Sequence, residues 1–170
     1  AYGRLSYHNK SHPLPLLLAA EALTKKRKGN GNIHLVFFGY FTGDSFREDY
    51  AKAADSICET AHVTFIENQD ARFPDALWAG ADIFVSLVDN VQESFGLTPI
   101  EAMACDLPVL VTDWDGYRDT VRDGIDGFLV PTLAPPAGSG QELVRRYLAG
   151  EDVYGEYLAG TSQSVAVDVE

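Results

Sequence analysis

The sequence has few cysteines and no long apolar run. Its 170 residues include two cysteines, Cys58 and Cys105, and their spacing matches neither a disulfide framework nor a redox or zinc motif. We therefore expect both thiols to be reduced and the protein to be cytoplasmic. No apolar run approaches the roughly 20 residues that a membrane-spanning helix requires.

Positive charge is also scarce. The chain has 13 Lys and Arg against 25 Asp and Glu, so its formal net charge is −12 at pH 7. Sequence-independent nucleic-acid binding depends on clustered Lys and Arg, so this balance argues against a nucleic-acid partner. The basic run at residues 25–28 precedes Gly29 and is typical of a helix C-terminus, where cations complement the dipole.

Metal-binding motifs are missing as well. Five aspartates lie between Asp113 and Asp126, but they lack the central glycine and terminal glutamate of a helix-loop-helix calcium site. His8 and His12 have no carboxylate at metal-ligand spacing, and we interpret them as a polar loop residue and a helix-entry residue. We therefore predict no metal ion and no resident cofactor.

What the chain does contain is a regular alternation of apolar runs and helical patterns. Hydrophobic residues make up 46% of it, enough for a substantial core. Strands that alternate with helices indicate an α/β fold, a Rossmann-like, doubly wound parallel sheet with helices on both faces. The predicted strands are 2–6, 33–38, 63–67, 83–88, 108–112 and 128–130. The predicted helices are 13–28, 45–59, 73–79, 97–104, 141–149 and 152–159, with a helical turn at 119–122.

The domain organisation follows from composition. We predict that residues 1–133 form the sheet domain and that residues 134–170 form a C-terminal helical extension of it, because residues 134–140 are rich in Pro, Ala, Gly and Ser. The chain begins one residue before the first predicted strand and stops inside an amphipathic pattern. We therefore expect a fragment of a longer protein.

The most informative stretch lies between two apolar runs, from Asp89 to Asp106. Residues 93–96 form a strand-to-helix turn, and residues 97–104 form the helix, with Pro99 in the first turn where a missing N–H costs nothing. Free N–H groups and the positive end of the helix dipole make such a turn an anion site.

Two glutamates eight positions apart frame this turn. Glu93 precedes the helix, and Glu101 can reach back over the helix N-terminus. Gly96 would let a ligand approach the backbone closely. Carboxylates repel a bare phosphate but, as acceptors, suit the hydroxyls of a ribose or a sugar. For an arbitrary pair of glutamates, solvent exposure would be the simpler interpretation; the apolar strands on both sides and Gly96 favour a site.

A second polar stretch follows the first predicted strand. Arg4 and Lys10, six positions apart, can place a planar fork and a point charge near one anion, a combination that suits a diphosphate. Because ligands of open α/β sheets bind outside the carboxyl ends of the strands, we expect Arg4 and Lys10 to share an edge with Glu93 and Glu101.

These residues resemble a known family. Residues 93–104 (ESFGLTPIEAMA), followed by 107–112 (LPVLVT), closely resemble the glutamate, seven residues, glutamate motif of the retaining group 1 glycosyltransferases. That family also has a Gly-Arg at the end of its first strand and a Lys before its first helix, which match Gly3, Arg4 and Lys10. The resemblance covers about residues 3–130. One departure is Asp106, where the family usually has glycine.

The resemblance implies the GT-B architecture, two Rossmann-like domains that face each other across a cleft, with this chain as the C-terminal, donor-binding one. Glu93 would contact the donor sugar, Glu101 the ribose, and Arg4 and Lys10 the diphosphate. Glu93, Arg4 and Lys10 would be catalytic. The implied donor site consists of Arg4, Lys10, Gly39, Arg72, Glu93, Ser94, Phe95, Gly96, Leu97, Thr98 and Glu101.

The implied reaction moves a hexose from a UDP-, GDP- or ADP-sugar to an acceptor hydroxyl with retention of configuration. The implied partners are the nucleotide sugar and the enzyme's own N-terminal acceptor domain, through which any contact with a membrane surface would be made. We expect this fragment to be inactive alone, because groups of both domains must close around the reacting carbon.

Two other functions are compatible with the fold. A sugar-nucleotide epimerase or a phosphorylase would require a different acidic pair or a cofactor lysine, and neither pattern is evident. A non-catalytic nucleotide-binding module would keep the fold and lose the cations. The joint presence of Arg4, Lys10, Glu93 and Glu101 argues against that module.

Overall fold

The structure is a computed structural model that describes residues 2–27, 33–67, 73–90, 93–162 and 164–168. Its strands are β1 (Tyr2–Leu5), β2 (His34–Phe41), β3 (His62–Glu67), β4 (Phe84–Ser86), β5 (Val109–Thr112), β6 (Gly127–Val130), β7 (Thr132–Leu133) and β8 (Ala166–Val167). Its helices are α1 (Leu14–Arg27), α2 (Asp44–Ile57), α3 (Phe73–Gly80), α4 (Leu97–Ala104), α5 (Tyr117–Thr120), α6 (Gln141–Leu148) and α7 (Tyr154–Ser162). The alternation of strands and helices that the sequence predicts is confirmed.

The six longer strands form two parallel sheets of three. In the first sheet β2 lies between β1 and β3, and in the second β5 lies between β4 and β6. Tyr2 of β1 packs against the core of the second sheet, and Tyr2 and Ser86 of β4 line one narrow cavity, so β1 and β4 are neighbouring edges. The predicted α/β class with parallel strands and flanking helices is confirmed, although the strands are hydrogen-bonded as two sheets and not as one.

Each sheet has its own hydrophobic core. In the first, Leu17 of α1 and Tyr50 of α2 pack against Phe37 of β2. In the second, Ala102 of α4 and Tyr117 of α5 pack against strands β4 and β5. Burying these aromatic and aliphatic groups fixes both helical layers on the sheets, at roughly 1.5–3 kcal/mol for each large apolar side chain.

A buried carboxylate joins α1 to the start of β3. Glu21 accepts hydrogen bonds from the main-chain N–H groups of Ala61 (2.9 Å) and Thr60 (3.0 Å). These bonds, led by the one from Ala61, lower the pKa of Glu21 to about 2. The basic residues Lys25–Arg27 occupy the last turn of α1, as the sequence predicts, and Gly29 lies outside the described residues.

The segment after residue 133 contains α6 and α7 and then returns to the sheet domain. β8 pairs antiparallel with β7, and the Asp168 N–H donates to the Pro131 carbonyl at 3.0 Å. The predicted amphipathic element at 164–170 therefore contains a short strand. The division of the chain at residue 133 stays a prediction. None of the helices in the described ranges is long and apolar enough to cross a membrane.

Candidate functional site

The site is formed by two loops that leave neighbouring strands at their carboxyl ends. Residues 6–13 follow β1, and residues 87–96 follow β4, with 91 and 92 outside the described residues. The Lys10 ammonium pairs with the Glu93 carboxylate across these loops. Both side chains are largely enclosed, at 16% and 14% exposure, so the pair is partly shielded from solvent. The structure thus brings together two of the three residues predicted to be catalytic.

The aromatic ring of Tyr117 lies next to the ion pair of Lys10 with Glu93. The Lys10 nitrogen lies 5.9 Å from the centroid of the Tyr117 ring, a distance at which a cation is attracted by the ring face. Tyr117 is completely buried, and its hydroxyl shares a 2.8 Å hydrogen bond with Ser86. Burial raises the pKa of Tyr117, while the nearby Lys10 lowers it by a smaller amount. Tyr117 is therefore a neutral support for the cation.

Two glycines fix the path of the Glu93 loop. Gly96 has a φ of 75°, and a Cβ there would lie 2.1 Å from the Tyr117 ring. Gly116 packs on the same loop, since its Cβ would lie 2.4 Å from the Phe95 nitrogen, and its N–H donates to the Glu93 carbonyl at 3.1 Å. The structure thus gives Gly96 a packing role, and the predicted approach of a ligand to it stays a prediction.

The other residues predicted around the turn are mostly exposed to solvent. Ser94, Phe95 and Leu97 are exposed, with Phe95 and Leu97 at 52% and 63%. Thr98 is partly buried, and Glu101 is exposed on α4. Residues 94–98 lie at the N-terminal end of α4, where the sequence predicts the anion site, and Glu101 lies in the second turn of the helix.

The second cation lies beside the pair. Arg4 is exposed on β1 opposite Tyr40 of β2, and it lines the same narrow cavity as Lys10. Among the described residues, its side chain makes no hydrogen bond or ion pair. The structure therefore places Arg4 near Lys10, at the edge where the sequence predicts the diphosphate.

The second strand is longer than its predicted range of 33–38, so the prediction that it ends before Gly39 is wrong. The β2 ladder continues to Phe41, and Gly39 lies inside it, opposite Gly3 of β1 and Glu67 of β3. A Cβ on Gly39 would lie 1.6 Å from the Gly3 carbonyl oxygen. Close packing of β1 on β2 therefore requires glycine here. Arg72, which the family resemblance includes in the donor site, lies outside the described residues.

Sequence reasoning missed Asp89 and Asn90 as part of the site. Both are buried, and both hydrogen-bond to the Lys10 loop. Burial raises the pKa of Asp89 to about 7. Two polar residues directly after the apolar run 83–88 were the available signal. Within the described ranges, no three His, Cys, Asp or Glu side chains cluster as metal ligands would.

Comparison with known proteins shows the family to which the chain belongs. The family model described as "Glycosyl transferases group 1" matches residues 1–149. The chain is 38% identical over 79 residues to D-inositol 3-phosphate glycosyltransferase of Mycobacterium leprae, covering 46% of the chain and 18% of that protein. It is 30% identical over 115 residues to phosphatidyl-myo-inositol mannosyltransferase of Mycobacterium tuberculosis, covering 68% of the chain and 29% of that protein.

Solved structures show the same fold. A glycosyltransferase from Rickettsia africae superposes with a TM-score of 0.59 at 19% identity, over 95% of this chain and 41% of that one. HepE of Anabaena, crystallised with UDP-glucose, superposes with a TM-score of 0.55 at 20% identity, over 95% of this chain and 42% of that one. The chain thus spans less than half the length of these relatives. It belongs to the group 1 glycosyltransferases and has the fold of the C-terminal domain of a GT-B enzyme.

Proposed function

We propose that this chain is the donor-binding domain of a retaining glycosyltransferase that moves a hexose from a nucleotide-diphosphate sugar to an acceptor hydroxyl. One observation carries the proposal: the ion pair of Lys10 with Glu93, next to Arg4, at the carboxyl ends of parallel strands. Ligands of open α/β sheets bind at this edge. A cation and a carboxylate side by side suit a ligand that carries both phosphates and hydroxyls.

Arg4 and Lys10 would bind the donor diphosphate. Glycosyl transfer breaks the bond between the sugar and the diphosphate, so negative charge grows on the leaving group. Fixed cations at that position stabilise this charge where it develops and lower the barrier. The exposed Arg4 guanidinium could take two phosphate oxygens at once, and Lys10 would shift from Glu93 toward the phosphates.

Glu93 and Glu101 would bind the hydroxyl groups of the donor. Glu93 lies beside the ammonium that would hold the diphosphate, so its carboxylate would accept hydrogen bonds from the sugar attached there. Glu101, exposed in the second turn of α4, would accept hydrogen bonds from the ribose. Ser94 to Thr98 would surround the sugar and diphosphate.

Similarity to relatives supports the donor class. HepE was crystallised with UDP-glucose and with UDP, and the Mycobacterium tuberculosis relative is a mannosyltransferase by name. We extend the nucleotide-sugar and hexose classes to this chain as part of the proposal. Gly39 and Arg72 belong to the proposed donor site only through the family resemblance.

Transfer itself would require more of the enzyme than this chain. The chain covers 42% of HepE and 29% of the mannosyltransferase, so the acceptor side would belong to the remainder. We propose that the isolated chain binds nucleotide and does not transfer sugar, because reacting groups must be held by both domains. Arg4 and Lys10 would supply the positive charge, so we propose that the transfer is independent of a metal ion. We also propose that the enzyme is cytoplasmic.

Calorimetric titration of the chain with UDP, GDP, ADP and their sugars tests the proposal. We expect one diphosphate to bind, Arg4→Ala to abolish that binding and Glu101→Ala to weaken it. Arg145→Ala, on α6, is the matched control, because it removes the same charge outside the two loops. A folded chain that binds none of the three diphosphates would overturn the proposal.

A further inference from the structure

Two polar residues are buried directly after β4, where the strand leaves the sheet. Asp89 is 6% exposed and Asn90 is 2% exposed. Buried polar groups are stable only with hydrogen-bond partners, so the partners of this pair indicate what it holds in place.

The side chains of this pair hold the Lys10 loop on both sides of Lys10. The Asn90 side-chain amide donates to the His8 carbonyl at 2.8 Å, and the Asp89 Oδ2 accepts from the His12 N–H at 3.3 Å. His8 and His12 lie two residues before and two residues after Lys10. The loop is thus attached at two points centred on the cation.

The main chain of Asn90 holds the other half of the ion pair. Its carbonyl accepts from the Glu93 N–H at 3.4 Å and from the Trp114 indole N–H at 3.0 Å. Asn90 therefore connects the Lys10 loop, through its side chain, with Glu93 and the 113–117 loop, through its carbonyl. One buried residue links both partners of the ion pair.

We infer that Asp89 and Asn90 are positioning residues that fix the Lys10 loop against the Glu93 loop and so preset the site for a diphosphate. The inference rests on the proposed function and adds to it two residues outside the predicted donor site. A loop that is ordered before binding loses less entropy when it binds, so the ligand binds more tightly. Neither residue needs to contact the donor.

A double-mutant cycle with Lys10 tests this role. We expect Asn90→Ala to weaken diphosphate binding about tenfold in the wild-type background and less than about twofold in a Lys10→Ala background, measured at millimolar nucleotide. A general loss of stability would weaken binding equally in both backgrounds. Equal losses would therefore overturn the inference.

Asn9→Ala is the matched control. Asn9 lies in the same loop, and its side chain bonds within that loop, to the Ser6 hydroxyl at 3.4 Å. We expect its diphosphate affinity to stay within about twofold of wild type. If Asn90→Ala does not fold, Asn90→Ser replaces it, since its shorter polar side chain loses the bond to His8 and adds no charge near the diphosphate.

Amide hydrogen exchange of the unliganded chain gives a readout that does not depend on binding. In Asn90→Ala we expect faster exchange at Lys10 and His12 and unchanged exchange in β2 and β5. Uniformly faster exchange would overturn the positioning role. A wild-type chain that binds no diphosphate would contradict the proposed function. If wild type and Asn90→Ala bind the diphosphate equally well, this inference is contradicted, whereas the proposed function is not.

Discussion

The Lys10 ammonium and the Glu93 carboxylate, 83 residues apart in sequence, form an ion pair between two loops that leave neighbouring parallel strands. In the unliganded chain each group therefore satisfies the charge of the other. A diphosphate that binds Lys10 must compete with Glu93, and a sugar bound to Glu93 must compete with Lys10. A nucleotide sugar can replace both contacts at once, whereas a bare diphosphate replaces one.

Replacing Glu93 by Gln should therefore distinguish the binding of a bare diphosphate from the binding of a nucleotide sugar. We expect Glu93→Gln to bind bare UDP, GDP or ADP about threefold to tenfold more tightly, because a competing and repelling carboxylate is removed. Calorimetry with the preferred diphosphate measures this change. Glu48→Gln, which removes an exposed carboxylate paired with Lys52 on α2, is the control and should bind as wild type does. Weaker binding by Glu93→Gln would show that the pair does not block the anion site.

In the complete enzyme, the two cations should matter for turnover. Arg4→Ala and Lys10→Ala are each expected to lower the rate of sugar transfer by on the order of a hundredfold, because each removes a fixed charge from the leaving diphosphate. Values of kcat/KM for the donor measure the effect, with Arg145→Ala on α6 as the charge-matched control. Rates near wild type in both variants would refute the assignment of these residues.

Asp89 should make the free energy of unfolding fall as pH rises, which is the opposite of the usual effect of a carboxylate. Burial raises its pKa from 3.8 to about 7, so between these values the folded chain holds a proton that the unfolded chain has released. Stability from this residue is therefore greatest at low pH and falls as pH rises from about 4 to 7, by up to about 4 kcal/mol. Its surroundings include Tyr50 and the His12 N–H.

Urea unfolding at pH 5 and pH 8 measures this dependence. We expect Asp89→Asn to gain stability relative to wild type at pH 8 and to gain less at pH 5. Asp126→Asn is the control, because its pairing with Arg122 lowers the pKa of Asp126 to about 2, and its contribution should be equal at both pH values. Equal differences between Asp89→Asn and wild type at the two pH values would exclude a raised pKa.

Asp106 offers a test of local geometry. It has a φ of 59°, a left-handed conformation that favours glycine, and it ends α4 in a turn closed by Leu107 N–H to the Ala102 carbonyl at 3.1 Å. Asp106→Gly should raise the free energy of unfolding by about 0.5–1 kcal/mol, or Tm by roughly 1–4 °C for a chain of this size. Asp106→Ala should lower it. Differential scanning calorimetry of both variants measures these changes. A fall in Tm for the glycine variant would contradict a left-handed conformation at position 106.

The sequence predicts the order of elements well because hydrophobic periodicity is a local property. Apolar runs and helical spacing place most elements within a few residues of their observed bounds, and Asp106, where the family usually has glycine, occupies a left-handed position. The pairing of Lys10 with Glu93 agrees with the predicted meeting of loops at one sheet edge. These successes share a cause, since strand direction and strand ends are both encoded locally.

Contacts distant in sequence could not be predicted in the same way. Gly39 directly follows the predicted strand 33–38, whereas its constraint in the structure is the carbonyl of Gly3 on a neighbouring strand. The packing of Gly96 on Tyr117 and the bonds of Asn90 to His8 depend on how separate loops come together. The same holds for the pairing of β7 with β8, two short strands whose residues carry little periodicity.

The most direct test of the central claim is calorimetric titration of this chain with UDP, GDP and ADP, in wild type and in Arg4→Ala. The account predicts that one of the three binds to a single site and that Arg4→Ala removes that binding while the fold, followed by circular dichroism, is unchanged. Binding that survives in Arg4→Ala, or a folded wild-type chain that binds none of the three, would contradict it.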